Sequence, residues 1–262
     1  MPELPEVEAY RRLAEDALDR PVQRAEFGDR RFVRGPVSPD ELGSVLRGSR
    51  FRAARRRGKL LVLDLDGPGD GHRLGLRFGM TGRLVLDGRT GVDRLIYSSD
   101  RDETAWDRFT VVFADGGRLT VRDPRLLGRV ELDPDEERLG PDAMTVTASQ
   151  LRAALGDSAA PLKARLMDQH RLAGVGNLIA DEVLWRASLA PGRPAGSLTG
   201  ADHRRLHRHL RATLDDLMAG GSHTGRLMSE RTTGGRCPRD GAELERATVG
   251  GRTTWWCPAH QR

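Results

Sequence analysis

An α+β chain of two domains is predicted for these 262 residues, and three observations predict it. Apolar residues recur with helical spacing close to the N-terminus, then alternate over short runs through the first half. Beyond Asp133-Pro134-Asp135 the spacing turns helical again, and the last residues place Cys237, Asp240, Cys257 and His260 in two pairs, the pattern of a zinc-finger-like β-hairpin. With 37% apolar residues, each half has material for a core.

The elements follow in order. Val7, Tyr10, Leu13, Ala14, Ala17 and Leu18 form the apolar stripe of one amphipathic helix, expected to end near Arg20-Pro21, with Pro2 and Pro5 at its start. From about residue 22 to 132, runs such as Leu60–Leu65, Leu84–Leu86, Phe109–Phe113 and Leu119–Val121 alternate between Gly- and Asp-rich turns, which predicts a β-sandwich or barrel. A capping box at Thr147 to Gln150 opens a helix through Leu155, and helices are expected at 161–168, 176–188 and 199–219. The Gly-rich stretch 220–235 reads as a loop or linker. The expected division is 1–133, 134–220, a linker at 221–235, and a hairpin at 236–262.

Composition narrows the function classes. No run approaches the roughly 18 apolar residues of a membrane span, and the N-terminus lacks a basic-then-apolar secretion signature, so the cytoplasm is expected. Two cysteines close to the C-terminus exclude a disulfide framework for the bulk of the chain. A net charge of +5 and a pI near 9.9 suit a polyanionic partner. Of 43 basic residues only Lys59 and Lys163 are lysine, which marks both for chemistry a guanidinium cannot supply.

Pro2 follows Met1 in a context where the initiator methionine is trimmed, and removal would expose a secondary amine. The two prolines also suit a plain helix start. Glu3 and Glu6, three residues apart on the first turn, can both lie near that nitrogen and move protons. An α-amino group of pKa about 7.7–8.0 is close to usable as a nucleophile.

Met-Pro-Glu-Leu-Pro-Glu-Val-Glu resembles the opening of the formamidopyrimidine-DNA glycosylase/endonuclease VIII family, in its formamidopyrimidine glycosylase branch, and the likeness continues along nearly the whole chain. The resemblance implies a β-sandwich, a helix-two-turn-helix module and a C-terminal zinc finger. It also implies a monomeric bifunctional glycosylase and AP lyase of base excision repair, acting on damaged double-stranded DNA at the nucleoid, with oxidised purines as the leading substrate. Pro2 is the implied nucleophile, Glu3 the proton-transfer group and Glu6 a second carboxylate nearby. Lys59, in Arg-Arg-Arg-Gly-Lys, matches a hairpin lysine that contacts phosphates at the lesion; by itself the segment is a basic run beside a strand.

Met80, in Phe-Gly-Met-Thr-Gly, resembles a residue that fills the stack vacated by a flipped base. Arg125 and Leu127, in Asp-Pro-Arg-Leu-Leu-Gly, fall where the family carries an Arg facing the orphan base and an aromatic wedge; the aromatic is replaced. Pro161–Asp168 and Leu172–Asn177 give helix, Gly-containing turn and helix start in the family's order. Lys163 and Asn177 are the implied phosphate contacts there, and Arg252 the implied phosphate grip of the finger. Where the family usually has four cysteines, this chain offers Cys237, Asp240, Cys257 and His260 for Zn²⁺, with a metal-free hairpin packed by Trp255 and Trp256 as the alternative. The 220–235 stretch is short and unlike the loop that covers an oxidised purine. Oxidised pyrimidines or a bulky adduct therefore stay open as substrates, as does a non-catalytic paralogue that binds damaged DNA. A zinc ribbon binding RNA or protein is the third class, and it predicts no preference for damaged duplex.

Overall fold

The computed structural model describes residues 2–92, 95, 101, 103–220 and 224–262, and it divides into two units, Met1–Glu136 and Glu137–Arg262. The observed architecture is the α+β arrangement expected, with a strand-rich first unit and a helical second unit that ends in a hairpin.

In chain order the first unit holds α1 (Leu4–Glu15), β1 (Val22–Glu26), β2 (Val33–Arg34), α2 (Pro39–Leu46), β3 (Arg50–Arg57), β4 (Leu60–Asp66), β5 (Arg73–Arg77), β6 (Arg83–Leu86), β7 (Arg89–Thr90), β8 (Asp107–Phe113), β9 (Arg118–Arg122) and β10 (Arg129–Leu132). Two five-stranded sheets result, in the orders β1-β8-β9-β6-β7 and β2-β10-β5-β4-β3. Alternation explains them: Leu84 and Leu86 of β6, with Phe109, Val111 and Phe113 of β8, point inward from one sheet. Leu61, Leu63, Leu74 and Leu76 join the same apolar cluster from the other. Each such side chain stabilises by about 1.5–3 kcal/mol on full burial. Val7, Tyr10 and Ala14 of α1 enter that core too, which holds the N-terminus against the sandwich.

Two details differ from expectation. α1 stops at Glu15, five residues early, because the chain turns through Asp19 at φ 60° and Leu18 bridges to Phe51 instead of continuing the helix. α2 interrupts the strand region that the alternation implied. Its signal was present in Ser38-Pro39-Asp40-Glu41: Ser38 Oγ accepts from the Glu41 N–H at 3.2 Å, and the Glu41 carboxylate accepts from the Ser38 N–H at 2.7 Å.

The second unit contains α3 (Ala148–Leu155), α4 (Leu162–Met167), α5 (Asn177–Arg186), α6 (Gly200–Gly220), β11 (Glu245–Val249) and β12 (Arg252–Trp256). α5 has every residue from Leu178 to Trp185 buried, so it is the hub of this unit. The 224–235 part of the Gly-rich stretch is irregular but anchored. Leu227 is fully buried in a cluster with Trp185, Leu244 and Trp255, and the Glu182 carboxylate accepts from the Arg226 and Leu227 N–H groups at 3.1 and 2.8 Å.

Candidate active site and nucleic-acid interface

In the first unit the site grows from the start of α1. Pro2 is buried, and Glu3 and Glu6 are each 2% exposed. The Glu3 N–H donates to Glu6 Oε2 at 2.9 Å, closing the first turn and holding two carboxylates beside the Pro2 residue. Carboxylates are seldom buried without a task that repays the desolvation. Met1 lies outside the described residues. One turn on, burial first and the Glu6 charge second push the Tyr10 phenol far upward, so it stays neutral; its hydroxyl donates to the Gly82 carbonyl at 3.3 Å.

That bond ties α1 to the loop carrying Met80. Gly79 adopts φ 58°, and a Cβ on it would sit 2.4 Å from the Leu127 carbonyl carbon, so only glycine lets the Met80 turn press on the 125–128 loop. Asp123, fully buried, organises that loop. Its carboxylate accepts the N–H groups of Arg125, Leu127 and Gly128 at 3.1, 2.8 and 2.8 Å, and also the Thr81 hydroxyl. Met80, Arg125 and Leu127 are thereby brought to neighbouring loops. Arg125 is exposed, and Leu127, 46% exposed, is the one large apolar side chain left open to water among the described residues. Such exposure wastes apolar area unless something covers it, as a stacked base would.

Lys59 sits at the tip of the β3–β4 hairpin. Glu8 of α1 accepts from Arg56 at 3.1 Å, and Arg56 donates to the Gly58 carbonyl at 2.9 Å, so the tip is fastened to the helix that carries Glu3 and Glu6.

In the second unit, Asn177 opens α5 and its side-chain amide donates to the Thr253 carbonyl at 3.1 Å, next to the exposed Arg252. The structure thus brings Asn177 and Arg252 together. The hairpin turn before Arg252 uses Gly250 and Gly251 at φ 57° and 71°, and a Cβ on Gly250 would meet the Ala164 Cβ at 2.8 Å, so glycine lets the hairpin tip lie against α4. The resemblance makes Lys163 a phosphate contact, and the structure gives its ammonium partners within the protein. It is fully buried, its ammonium 2.7 Å from Asp181 Oδ1, and it donates to the Thr253 carbonyl at 3.2 Å and to Thr254 Oγ1 at 2.7 Å. Asp181 also pairs with Arg231 at 3.0 Å and accepts from the Trp255 N–H at 3.2 Å; burial pushes its carboxyl upward against the pull of both cations. Lys163 therefore braces the strand behind Arg252.

Asp123 and Asp181 are the organisers that sequence reasoning missed. Asp181 had a signal: an acid in the otherwise apolar Leu178–Trp185 run must be paired if the helix is buried.

Cys237, Asp240, Cys257 and His260 converge, with one ligand atom from each lying within 4.8 Å of all the others. Cys237 Sγ is 3.7 Å from His260 Nδ1, and Cys257 Sγ is 3.5 Å from Asp240. A tetrahedral ion with bonds of about 2.0–2.3 Å needs ligand separations of roughly 3.3–3.8 Å, which these two contacts meet; His260 Nδ1 and Asp240 Oδ2 are hydrogen-bonded at 2.8 Å and would have to part slightly, so the donor types suit zinc and the cluster is close to its size. Trp185 Nε1–H and the Arg239 N–H both donate to Cys237 Sγ, at 3.3 and 3.4 Å, the surroundings of a sulfur that acts as acceptor. Hydrogen bonds from Ala242 and His260 hold the Asp240 carboxyl well below its usual range, while burial raises the Cys257 thiol to about 11.

A β-sandwich with paired buried carboxylates on its N-terminal helix, followed by a helical unit that ends in a hairpin with four converging ligand residues, is the architecture of a DNA base-excision enzyme. Residues 1–130 match the family model of the formamidopyrimidine-DNA glycosylase N-terminal domain, and residues 139–228 that of its H2TH domain. Formamidopyrimidine-DNA glycosylase of Paracoccus denitrificans is 34% identical over the full length of both chains, and that of Arabidopsis thaliana is 31% identical across this whole chain and 71% of its own. Among solved structures, Lactococcus lactis Fpg bound to DNA with an abasic site superposes with a TM-score of 0.83 at 29% identity over all of both chains. The same enzyme bound to DNA with an N7-benzyl-Fapy-dG gives 0.84 with equal identity and coverage. The chain belongs to the formamidopyrimidine-DNA glycosylase family. Among the described residues, no helix is long and apolar enough to cross a membrane.

Proposed function

We propose that this chain is a bifunctional DNA glycosylase and AP lyase that removes oxidised purines from duplex DNA at the nucleoid. The Pro2 nitrogen, uncovered by loss of Met1, attacks C1′ of the damaged nucleotide. The C1′–N bond to the base breaks and the base departs with the proton lost by the amine; the C1′–O4′ bond then opens, O4′ takes a proton, and the proline nitrogen becomes an iminium. The iminium accepts the electrons released when a C2′ proton is removed, so the 3′ phosphate leaves, and the 5′ phosphate follows in a second elimination. Glu3 carries protons to and from the sugar, Glu6 holds the Glu3 backbone in place, and Lys59 neutralises phosphate at the lesion.

Met80, Arg125 and Leu127 fill the space left by the flipped base. Asn177 and Arg252 grip phosphate, Lys163 supports them from behind, and Cys237, Asp240, Cys257 and His260 hold Zn²⁺, whose chemistry is structural. Residues 1–133 form the catalytic domain, 134–220 the DNA-binding helices and 236–262 the finger, joined by 221–235. The buried Glu3–Glu6 pair beside Pro2 supports this reading most. Borohydride trapping on an abasic oligonucleotide tests it: wild type forms a covalent adduct, and Glu3→Gln loses excision of oxidised purine by at least about 100-fold. Absence of an adduct from protein whose intact mass shows Met1 removed overturns the assignment.

A further inference from the structure

Five non-glycine residues among the described ones have a left-handed backbone: Asp19, Asp87, Leu126, Asp133 and Ser188. A short polar side chain can offset the steric cost by bonding to backbone, as Asp87 does with the Arg118 N–H at 2.7 Å and Asp133 with the Arg73 N–H at 2.9 Å. Leu126, at φ 54°, has no polar group to offer. A leucine stays in this region only where its surroundings hold it there.

Those surroundings are specific. The side chain of Leu126 packs against the apolar core of the sandwich, while its neighbours Arg125 and Leu127 are both exposed. Successive N–H groups of an extended segment point to opposite sides, so three of them within four residues could not reach one carboxylate. The left-handed turn curls the backbone into a concave row of donors, and the buried Asp123 carboxylate sits in it, accepting from Arg125, Leu127 and Gly128 and passing over Leu126. Entry to the loop is fixed by Arg108, which donates to the carbonyls of Asp123 at 2.7 Å and Pro124 at 3.4 Å. At the exit, a Cβ on Gly128 would lie 2.6 Å from the Arg77 carbonyl oxygen and 3.0 Å from the ring of Phe32, itself 1% exposed, so the backbone is pressed onto the core there too.

We infer that Leu126 is a positioning residue for base excision: seated in the core with a left-handed backbone, it presets the rim formed by Arg125 and Leu127 in the shape that enters the duplex. The inference rests on those two side chains filling the stack vacated by the damaged base. Leu127 gains from such presetting because it is aliphatic and stacks on a base less strongly than an aromatic ring. Ordering a loop at the moment of entry would weaken the contact further, and a loop already held at Leu126, Asp123 and Arg108 avoids that loss.

The test compares full-length Leu126→Gly and Leu126→Met with wild type in three assays: excision from a damaged duplex in a single turnover, cleavage of a single-stranded abasic oligonucleotide, and fluorescence of 2-aminopurine placed opposite an abasic analogue. Glycine takes a positive φ freely but removes the plug and loosens the turn, whereas methionine keeps the volume and the plug. Leu126→Gly should lose excision from duplex by at least about 10-fold, the scale of a displaced group at a reacting centre. It should retain cleavage of the single strand, which has no void to fill, and give a several-fold smaller change in 2-aminopurine signal on binding. Leu126→Met should match wild type in all three. A Leu126→Gly protein that excises from duplex like wild type overturns the inference, as does one that loses both substrates in equal proportion, the mark of a general loss of fold. The 2-aminopurine signal needs no chemistry, so a wild type that gives it without a borohydride adduct would sink the catalytic reading alone.

Discussion

Lys163→Met removes the ammonium from a pair in which both side chains are fully buried and 2.7 Å apart. Asp181 would keep Arg231 and the Trp255 N–H, and lose its nearest cation. Breaking a buried pair by deleting one partner costs about 3–5 kcal/mol, because the remaining charge stays desolvated. For a unit of this size about 1 kcal/mol moves Tm by roughly 3–5 °C, so the second unit should melt roughly 10–20 °C lower. Tryptophan fluorescence is the suitable probe, since Trp185, Trp255 and Trp256 all lie in that unit and only Trp106 in the other. Asp181→Asn should cost a comparable amount. The double variant should cost less than the two singles together, with a coupling of about 2 kcal/mol or more in the cycle. A Lys163→Met protein that melts within a few degrees of wild type, or singles that simply add, would refute the claim that this pair holds β12 in place.

Asp123→Ala removes the acceptor of three backbone N–H groups; a loss of about 2–4 kcal/mol is expected in urea unfolding, with excision falling further than abasic-site cleavage as the Arg125 and Leu127 loop loosens. Leu127→Ala should leave stability within about 0.5 kcal/mol, since the side chain is exposed, yet reduce excision from duplex and spare cleavage of single-stranded abasic DNA. Arg20 hydrogen bonds hold the Asp115 carboxyl down at about 2 from an ordinary 3.8, so the contribution of that pair is present above pH 4 and lost as pH falls through about 2. The Tm deficit of Arg20→Gln, measured across that window, should vanish at its acid end. Purified protein should carry one zinc per chain, and Asp240→Cys should slow its removal by a chelator, because thiolate replaces the one hard oxygen.

Periodicity carried most of the fold, since alternation and helical spacing report burial directly. Where a few residues outweigh the period, it failed. The Ser38–Glu41 capping box makes a helix inside a strand-like region, and a positive φ at Asp19 ends α1 early. At the site, the convergence of Cys237, Asp240, Cys257 and His260 was legible in their paired spacing, and the resemblance pointed to Pro2, Glu3 and Glu6, which the structure finds buried. The placement of Lys163 was not, because a lysine marked for function by its scarcity looks the same in sequence whether its ammonium meets solvent or a buried acid. Only the position of Asp181 within a wholly buried helix decides between them.

That placement changes what the finger has to do. β12 runs from Arg252 to Trp256, with Cys257 just past its end at the ligand cluster, and Thr253 and Thr254 near its start. The start is held without any metal: the Thr253 carbonyl accepts from Lys163 and Asn177, Thr254 accepts from Lys163, and Asp181 takes the Trp255 N–H. A fully thiolate site would bind more tightly but has little left to position at Arg252, because the buried cluster of Asp181, Lys163 and Arg231 already fixes that strand to α5. For this reason an Asp and a His can stand in the Cys237–His260 cluster at limited cost to the placement of Arg252. The weaker donor set sits at the end of the strand that does not carry the arginine.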